Sequence, residues 1–429
     1  MTHRRKMAGA VAIIAATAAA ALGAATAKPA ESAAEARPCS FQLRIGDVLP
    51  FTGDLAAYGA NLDRGVKLAV ELQNRALRSA GLRGSSVMLT ASEDGQTQAS
   101  ASVEAATKLV KTDRVSVVIG EMASSATIPM VRSVTVPNRI VQISPTSSAP
   151  QLTTIKDRGF FWRTYPSDAL QGRVLAQAAL QKFGRRSTVN VGSRNDAFGS
   201  ALRKLFVDEW RSLGGQIGVN IAWNPSQPNF DTEAQRLADG DPDGWVIIDF
   251  PDTFAKFAPP LVRSGNWDPA KTLMTEALRN TDVLSKIGDP VKGLGGTAAS
   301  AAGGPAGKSF AAYWKRNVKG AKPYTGFEGT AVDAANVAFL AAVKACSASP
   351  ARIKANLRAV SSPPGQKVNF LTLGKAVRTL RSGRDVDYEG AFSPVDFDRN
   401  GDIGSAVFEI WRYDGGEKIS TLRTITFRG

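Results

Sequence analysis

The chain has 429 residues, of which 43% are hydrophobic and 21% are charged. This length exceeds what one compact core usually holds, and the apolar content excludes a largely disordered chain, so we expect two globular lobes. The formal net charge is +15, yet the basic residues are scattered and form no patch interleaved with aromatic residues, which argues against a nucleic-acid partner.

The first residues predict an export signal. Three consecutive basic residues precede an uncharged, alanine-rich run that ends near Ala27, where small residues suit signal-peptidase cleavage. We therefore expect a signal peptide over residues 1–27, a linker over 28–40, and a processed protein that is periplasmic or extracellular. The alternative is a retained membrane anchor, because the run is about as long as a bilayer span requires. No later segment is long and apolar enough to cross a membrane.

From residue 41 onward, strand-like and helix-like patterns alternate. Short apolar runs predict strands at 43–48, 87–90, 115–119, 140–143, 188–191, 217–222 and 245–250. Amphipathic periodicity predicts helices at 62–77, 99–110, 168–183, 198–213, 253–264 and 326–345. Strands that alternate with helices of this length form parallel sheets covered by helices on both faces. Because the series occurs twice, we expect an α/β fold of two lobes, followed by a hairpin and a terminal strand with Asn-Gly and Asp-Gly turns.

The two cysteines, Cys39 and Cys346, lie far apart in the sequence. In an oxidising compartment such a pair favours a structural disulfide over a catalytic thiol. A lipidated Cys39 is the alternative, although the preceding Ala36-Arg37-Pro38 does not resemble the small-residue motif which that modification needs.

The single histidine, His3, lies inside the predicted signal. The processed chain would therefore lack the residue on which Ser-His-Asp and Cys-His catalysis and His-ligated metal sites depend. We expect a protein that is not an enzyme and holds no metal.

Two motifs resemble cofactor sites, but each lacks a required residue. GGPAGKSF, at 303–310, has Ala302 where a phosphate-binding loop needs glycine, and we interpret it as a flexible surface connection. DFDRNGDIGSAV has Val407 where a calcium loop needs glutamate, and a turn at Asn400-Gly401 explains its composition. We expect no cofactor.

The segment VVIGEMASSATIPM, residues 117–130, predicts a buried strand followed by a helix. Ligands of open α/β sheets bind beyond the carboxyl ends of the strands. A helix N-terminus presents unpaired N–H groups, and Ser124, Ser125 and Thr127 would add hydroxyl donors for an anion. An ordinary helix cap is the alternative, although a cap needs only one hydroxyl. Pro129 is expected in the first helical turn.

Glu276 is an isolated acid that follows the strand-like residues 272–274. Its carboxylate is expected either to pair with a cationic group of a ligand or simply to stabilise a helix N-terminus.

Five segments resemble, in the same order, the periplasmic solute-binding proteins of branched-chain amino-acid-type ABC importers. They are IGDVLPFTGDLAAYGANLDRGVKLAVELQN, VVIGEMASSAT, IVQISPTSSAPQLT, FWRTYPSDALQG and GAFSPVDFDRNGD. The resemblance covers about residues 41–415. It implies two doubly wound parallel-sheet lobes joined by a three-crossing hinge, with a ligand cleft between them. Lobe 1 would comprise 41–162 and 280–400, and lobe 2 would comprise 163–279 and 401–429.

The resemblance also implies roles for polar residues of lobe 1. The serine that follows the strand-end glycine binds the ligand carboxylate in this family, and Ser124 is the matching residue, with Ser125 beside it. The loop after the next strand supplies a main-chain acceptor and a hydroxyl, which fall on Thr146 and Ser148.

The remaining implied ligand residues are mostly aromatic. Tyr58, from AAYG, would line the pocket, and Glu276 would pair with the ligand ammonium. Two positions of lobe 2 that are often tyrosine in amino-acid binders are Phe198 and Phe250 here. We expect these rings to stack against the ligand, but the missing hydroxyls leave its identity open.

We therefore expect an exported, monomeric binding protein that delivers a small solute, such as an amino acid or a related carboxylate or amide, to the permease subunits of an ABC importer. The alternatives are a sensory module for a membrane receptor, and a binder of an aromatic acid or of urea. An exported hydrolase that uses carboxylates is disfavoured by the lack of histidine.

Overall fold

The computed structural model describes residues 39–301 and 305–428, and two main sheets organise them. The strands are β1 (Gln42–Leu49), β2 (Ser86–Asp94), β3 (Val117–Gly120), β4 (Val141–Ser144), β5 (Phe161–Arg163), β6 (Thr188–Arg194), β7 (Gln216–Trp223), β8 (Gly244–Ile248), β9 (Thr272–Met274), β10 (Gly295–Ala299), β11 (Gln366–Val368), β12 (Val386–Tyr388), β13 (Ser405–Gly415) and β14 (Lys418–Arg428).

The helices alternate with these strands over most of the chain. They are α1 (Ala56–Ser79), α2 (Ala99–Lys111), α3 (Ser124–Met130), α4 (Asp168–Phe183), α5 (Ala197–Ser212), α6 (Asp231–Ala238), α7 (Pro251–Arg263), α8 (Thr281–Ile287), α9 (Pro305–Asn317), α10 (Phe327–Ala345), α11 (Pro350–Ser361) and α12 (Leu373–Arg381). A π-helical turn, Val131–Thr135, continues α3.

The first sheet has five parallel strands in the order β2-β1-β3-β4-β5. Every residue of the central strands β3 and β4 is buried. Strand β3 is an apolar run, as expected for a strand buried on both faces, whereas β4 also buries Gln142 and Ser144, whose side chains are hydrogen-bonded. Helices cover both faces, so the carboxyl ends of the strands are where loops become available for binding.

The second sheet has seven strands in the order β14-β13-β10-β9-β8-β6-β7. Strands β6 to β10 run parallel, whereas β13 pairs antiparallel with β10 and β14 pairs antiparallel with β13. The edge strand β7 alternates exposed and more buried residues, while β8 is buried throughout, as expected for an edge and a central position. The terminal hairpin predicted from the sequence is β13–β14.

The chain passes between the two sheets three times. It leaves the first sheet after β5, returns after β10, and crosses again between β12 and β13. Helix α10 packs against α1, α11 and the first sheet, so we assign α9 to α12 to lobe 1 with β1 to β5. Lobe 2 holds β6 to β10 and β13–β14. Two α/β lobes with three crossings confirm the predicted fold class.

Sheet membership departs from the predicted lobe bounds at one place. The sequence put residues from 280 onward in lobe 1, yet Gly295–Ala299 pairs with β9 and β13 of the second sheet. After β9 the chain forms a short 3₁₀ turn and α8, which interrupt the alternation of strands and long helices. The chain is still in lobe 2 at this point and crosses the hinge only after β10.

A disulfide joins Cys39, just before β1, to Cys346, at the end of α10. The Cα atoms are 5.5 Å apart although 307 positions separate the two cysteines in the sequence. The predicted pairing is confirmed, and it ties the start of lobe 1 to its returning segment.

Several predicted features fall on residues that the structure does not describe. The signal peptide, with His3, and nearly all of the linker lie outside residues 39–301 and 305–428, as does the start of GGPAGKSF. The rest of that motif begins α9, so its interpretation as a flexible connection is wrong from Pro305 onward. No single helix among the described residues is long and apolar enough to span a membrane, and the one pair that passes by length and composition, α10 with α11, is bent by 106°.

Candidate ligand-binding site

A small cavity of about 20 Å³ lies between the two lobes, beyond the carboxyl ends of strands from both sheets. Lobe 1 contributes the lining residues Leu55, Met122, Ser124, Thr146, Ser148 and Phe327. Lobe 2 contributes Phe198, Phe250, Glu276 and Ala277. Four of the lining segments directly follow β3, β4, β8 and β9, so the position agrees with the general rule for ligands of open α/β sheets.

Ser124 is the first residue of α3 and is buried. Its hydroxyl oxygen accepts a hydrogen bond from the N–H of Ala149 at 3.1 Å, so the hydroxyl hydrogen remains available for an acceptor in the cavity. The first N–H groups of a helix have no acceptor within the helix, and here they belong to Ser124 and Ser125. This corner of the cavity is therefore suited to a carboxylate oxygen.

The loop after β4 is held against the loop after β3 by side-chain hydroxyls. Thr146 Oγ1 donates to the carbonyl of Met122 at 2.9 Å, and Ser144 Oγ donates to the carbonyl of Glu121 at 2.7 Å. Because the Thr146 hydroxyl has used its hydrogen, its oxygen can accept a hydrogen bond from a ligand N–H. The hydroxyls of Thr127 and Ser147 are 2.7 Å apart and complete the connection.

Arg163 fixes the same loop from the hinge side. Its side chain is fully buried and makes a two-point ion pair with Asp402, with Nε donating to Oδ1 at 2.6 Å and Nη2 donating to Oδ2 at 2.9 Å. Nη1 donates to the carbonyl of Ala149 at 3.1 Å and to that of Ser147 at 3.3 Å. Asp402 is part of the calcium-like motif, and its carboxylate is occupied by this pair.

Glu121 supports the Ser124 corner from behind. Its side chain is completely buried, and Oε2 accepts the N–H of Ala123 at 2.5 Å. Burial raises the pKa of Glu121 to about 8, although the backbone N–H donors of Ala123 and Met122 oppose the shift. The carboxyl group thus shapes the turn between β3 and α3, and it does not line the cavity.

The opposite wall is aromatic. The rings of Phe198 and Phe250 stack with their centroids 5.2 Å apart and their planes at 18°. Phe198 lies in the first turn of α5, where the side chain of Asp196 accepts hydrogen bonds from the N–H groups of Phe198 and Gly199 at 3.1 and 2.9 Å. Phe250 directly precedes α7, after β8. Stacked rings present a flat apolar surface to the body of a ligand.

Glu276 lies in the 3₁₀ turn after β9 and is only 6% exposed. Its Oε2 accepts a hydrogen bond from Nε2 of Gln171, one turn into α4. Burial raises the pKa of Glu276 to about 7, and the hydrogen bond from Gln171 works against that shift. Asp168, at the start of α4, is a second buried acid whose pKa is raised, first by burial and then by Glu276.

Six of the eight predicted ligand residues line the cavity, and two do not. Tyr58 is buried beside it: its hydroxyl donates to the carbonyl of Ala277 at 2.8 Å, and its ring packs edge-on against Phe327 at 5.1 Å. That hydrogen bond joins the lobes and lies between the cavity and a larger outer groove of about 230 Å³. Ser125 is partly exposed and lies outside the cavity lining.

Other details differ from the sequence-based predictions. Thr127 is committed to hydrogen bonds with Ser147 and the carbonyl of Glu121, so it offers no free donor to an anion. Pro129 lies inside α3, because that helix begins at Ser124, and not in the first turn as predicted. Sequence reasoning also missed four apolar lining residues, Leu55, Met122, Ala277 and Phe327. Met122 and Ala277 could have been found from their positions near Ser124 and Glu276 in the sequence.

Charge distinguishes this cavity. Among the described residues that line it there is one acid, Glu276, and neither lysine nor arginine. The single carboxyl group, of Glu276, lies at the lobe 2 end, and the hydroxyl groups of Ser124, Thr146 and Ser148 lie at the lobe 1 end.

Residues 42–406 match the family model described as periplasmic binding protein. The chemotactic signal transduction system substrate-binding protein BasB of Halobacterium salinarum is 25% identical over 361 residues, which is 82% of each chain. The Leu/Ile/Val-binding protein BraC3 of Rhizobium johnstonii is 30% identical over 198 residues, which is 46% of this chain and 51% of the relative.

Solved structures share the fold. The leucine-binding protein LivK of Thermotoga maritima has a TM-score of 0.73 at 21% identity, covering 89% of this chain and 98% of its own. LivJ of Streptococcus pneumoniae, in complex with isoleucine, has a TM-score of 0.70 at 17% identity, covering 90% and 100%. A solute-binding protein of Rhodopseudomonas palustris in complex with 3,4-dihydroxybenzoic acid has a TM-score of 0.69 at 17% identity, covering 90% and 97%.

Proposed function

The chain belongs to the periplasmic binding protein family, and we propose that it is an exported, non-catalytic protein that captures a small solute between its lobes and delivers it to the permease subunits of an ABC importer. In this proposal the solute binds between the residues that line this cavity, which widens from its present 20 Å³ to accept it. Both lobes contribute to the lining, so closure of the lobes and capture of the solute are the same event.

We propose further that the solute carries both a carboxylate and a cationic nitrogen, as an α-amino acid does. The observation that carries this proposal is the buried Glu276, opposite the free hydroxyl hydrogen of Ser124, in a cavity whose described lining has no basic side chain. An ammonium would pair with Glu276 and donate to Thr146, while Ser124 and Ser148 would bind the carboxylate. Phe198 and Phe250 would contact the body of the ligand.

An aromatic acid is the alternative solute, because three structural neighbours are complexes with 3,4-dihydroxybenzoic acid, benzoate and 4-hydroxybenzoate. The stacked phenylalanines would suit a benzene ring. An anion without a cationic group, however, would enter a cavity whose described lining holds an acid and no base, and an uncompensated buried charge is unfavourable.

Sensing is a second candidate function. BasB, whose similarity extends over most of this chain, is a substrate-binding protein of a chemotactic signal transduction system. Genes for a permease and an ATPase beside this one would favour import, whereas a neighbouring gene for a membrane-bound receptor kinase would favour sensing.

Isothermal titration calorimetry of the processed protein tests the solute class. The titrants are the twenty common L-amino acids and 3,4-dihydroxybenzoate, each at pH 8. Saturable heat with at least one amino acid and none with the benzoate supports the proposal. Heat with the benzoate alone, or with none of these compounds, would overturn the amino-acid assignment.

A further inference from the structure

Arg194, the last residue of β6, contacts both lobes although only 3% of its side chain is exposed. Within lobe 2, Nε donates to Oδ2 of Asp196 at 2.5 Å, and Nη1 donates to Oγ1 of Thr253 at 3.1 Å. The carboxylate of Asp249 lies 3.7 Å from Nη1. Towards lobe 1, Nη2 donates to Oδ2 of Asp54 at 2.8 Å.

The guanidinium group also supports the aromatic wall of the cavity. It lies over the ring of Phe250, 3.8 Å from the ring centroid, in a cation–π arrangement. The acid that it pairs with, Asp196, caps α5 and thereby fixes the backbone of Phe198. Both stacked rings therefore depend on the position of Arg194, although Arg194 itself does not line the cavity.

Asp54 is the partner that lobe closure brings into place. It lies in the connection from β1 to α1, next to the cavity-lining residue Leu55. Its carbonyl accepts the N–H of Asp252, in the first turn of α7, at 3.3 Å. When the lobes separate, Arg194 would keep the two acids of its own lobe, Asp196 and Asp249, and would lose Asp54 alone.

The geometry points to Arg194 as a positioning residue: we propose that its ion pair with Asp54 holds the closed form, and that its contacts with Phe250 and Asp196 transmit closure to the aromatic wall. The part about the aromatic wall rests on the proposed solute-binding function, whereas the part about closure does not. An ion pair that is largely shielded from solvent on one side is stronger than an ordinary surface pair, and salt screens it less.

Closure is tested without any ligand. Nitroxide labels at Glu71 in lobe 1 and Arg211 in lobe 2, both exposed, report the distance between lobes by dipolar electron resonance. We expect Asp54→Asn to shift the distribution towards longer distances. The matched control is Asp208→Asn, which removes an exposed ion pair with Lys204 inside α5 and should leave the distribution unchanged. An unchanged distance distribution for Asp54→Asn would overturn the proposal that the Arg194–Asp54 ion pair holds the closed form.

The coupling to the cavity is tested with L-isoleucine as the probe. We expect Asp54→Asn to raise the dissociation rate about three- to tenfold, with little change in the association rate. Arg194→Lys keeps the charge and loses the planar contact with Phe250, so it should weaken binding more than Asp54→Asn does. Equal affinities for Arg194→Lys and wild type, in a protein with a native circular dichroism spectrum, would overturn the coupling.

The distance measurement and the isoleucine-binding measurement together distinguish failure of the closure proposal from failure of the solute-binding proposal. If the wild-type protein does not bind isoleucine but Asp54→Asn opens the lobes, the role of the Arg194–Asp54 ion pair in closure is supported and the amino-acid assignment is weakened. If isoleucine binds and neither variant changes its dissociation rate, the solute-binding proposal stands and the coupling is wrong.

Discussion

Replacing Glu276 with glutamine removes a buried negative charge while keeping the side-chain size and an acceptor for the hydrogen bond from Gln171. If a ligand ammonium pairs with this carboxylate, the variant leaves that ammonium buried without a counter-charge. Removing one partner of such a pair costs about 2–5 kcal/mol, so the dissociation constant should rise from about 30-fold to several thousand-fold. Because the amide can still accept from the ligand, we expect the lower part of this range.

The pH dependence gives an independent reading of the same residue. Burial raises the pKa of Glu276 from 4.5 to about 7, and a bound ammonium would favour the ionised form and lower that pKa again. Binding below about pH 7 would therefore release a proton, and affinity should fall as the pH decreases, by at most about tenfold per pH unit for one proton. The pKa of Asp168 is also raised, first by burial and then by Glu276. Titration of Asp168 would therefore leave a smaller dependence of affinity on pH in the Glu276→Gln variant.

Calorimetry measures both effects. Titrations of the wild-type protein and Glu276→Gln between pH 5.5 and 8.5, each in two buffers with different enthalpies of ionisation, give the affinity and the number of protons released. Asp47→Asn is the matched control, because Asp47 is a buried acid of β1 with a raised pKa and does not line the cavity. Affinity of Glu276→Gln within threefold of wild type at pH 8, or an identical pH slope, would refute the pairing.

Three further predictions concern the carboxylate-binding corner of the cavity and the stability of the fold. Ser124→Ala should weaken amino-acid binding about 10-fold or more, because it removes a donor to a charged group. Ser125→Ala should change the affinity less than twofold in the same titrations. Equal effects of the two variants would contradict the assigned geometry. The free energy of unfolding in urea should fall as the pH rises from about 4.5 to about 8 and then level off. Four buried acids cause this, because their pKa values are about 7 to 8 in the folded protein and about 4 when unfolded. Glu121→Gln should flatten the slope in this window by up to about 1.4 kcal/mol per pH unit. Replacing Cys39 and Cys346 together by serine should lower the free energy of unfolding by about 2–5 kcal/mol, and wild-type protein treated with a reducing agent should match the variant.

Local pattern predicted the strands that form the centres of the sheets. The runs at 115–119, 140–143 and 245–250 correspond to β3, β4 and β8, which are buried throughout and mostly apolar. Strands β5, β10, β11 and β12 were missed. Three of them have only three residues, too few to show any period, and β10, GGTAA, has no large apolar side chain. Their positions are fixed by neighbouring strands, which is information that no short window contains.

The residues of the candidate site that follow strand ends were predictable from the sequence. Which of two neighbouring side chains points into the cavity was not predictable. Ser124 and Ser125 are equivalent in the sequence, but adjacent residues of a helix point in directions about 100° apart, so only one can face the cavity. Tyr58 was expected in the wall, yet its hydroxyl reaches the carbonyl of Ala277 across the cleft. Arg194 gave no signal, because its partner Asp54 lies 140 positions away.

Lobe 1 has a consequence for the order in which the chain acquires structure. Helix α10, in which every residue from Phe327 to Val343 is buried, completes the core over the first sheet but is synthesised after all of β1 to β10. Contacts of such large sequence separation form slowly because a long loop must close first. We therefore expect a nascent chain that ends near residue 300 to leave the first sheet uncovered and prone to aggregation, which makes this stretch the natural target of a chaperone during export.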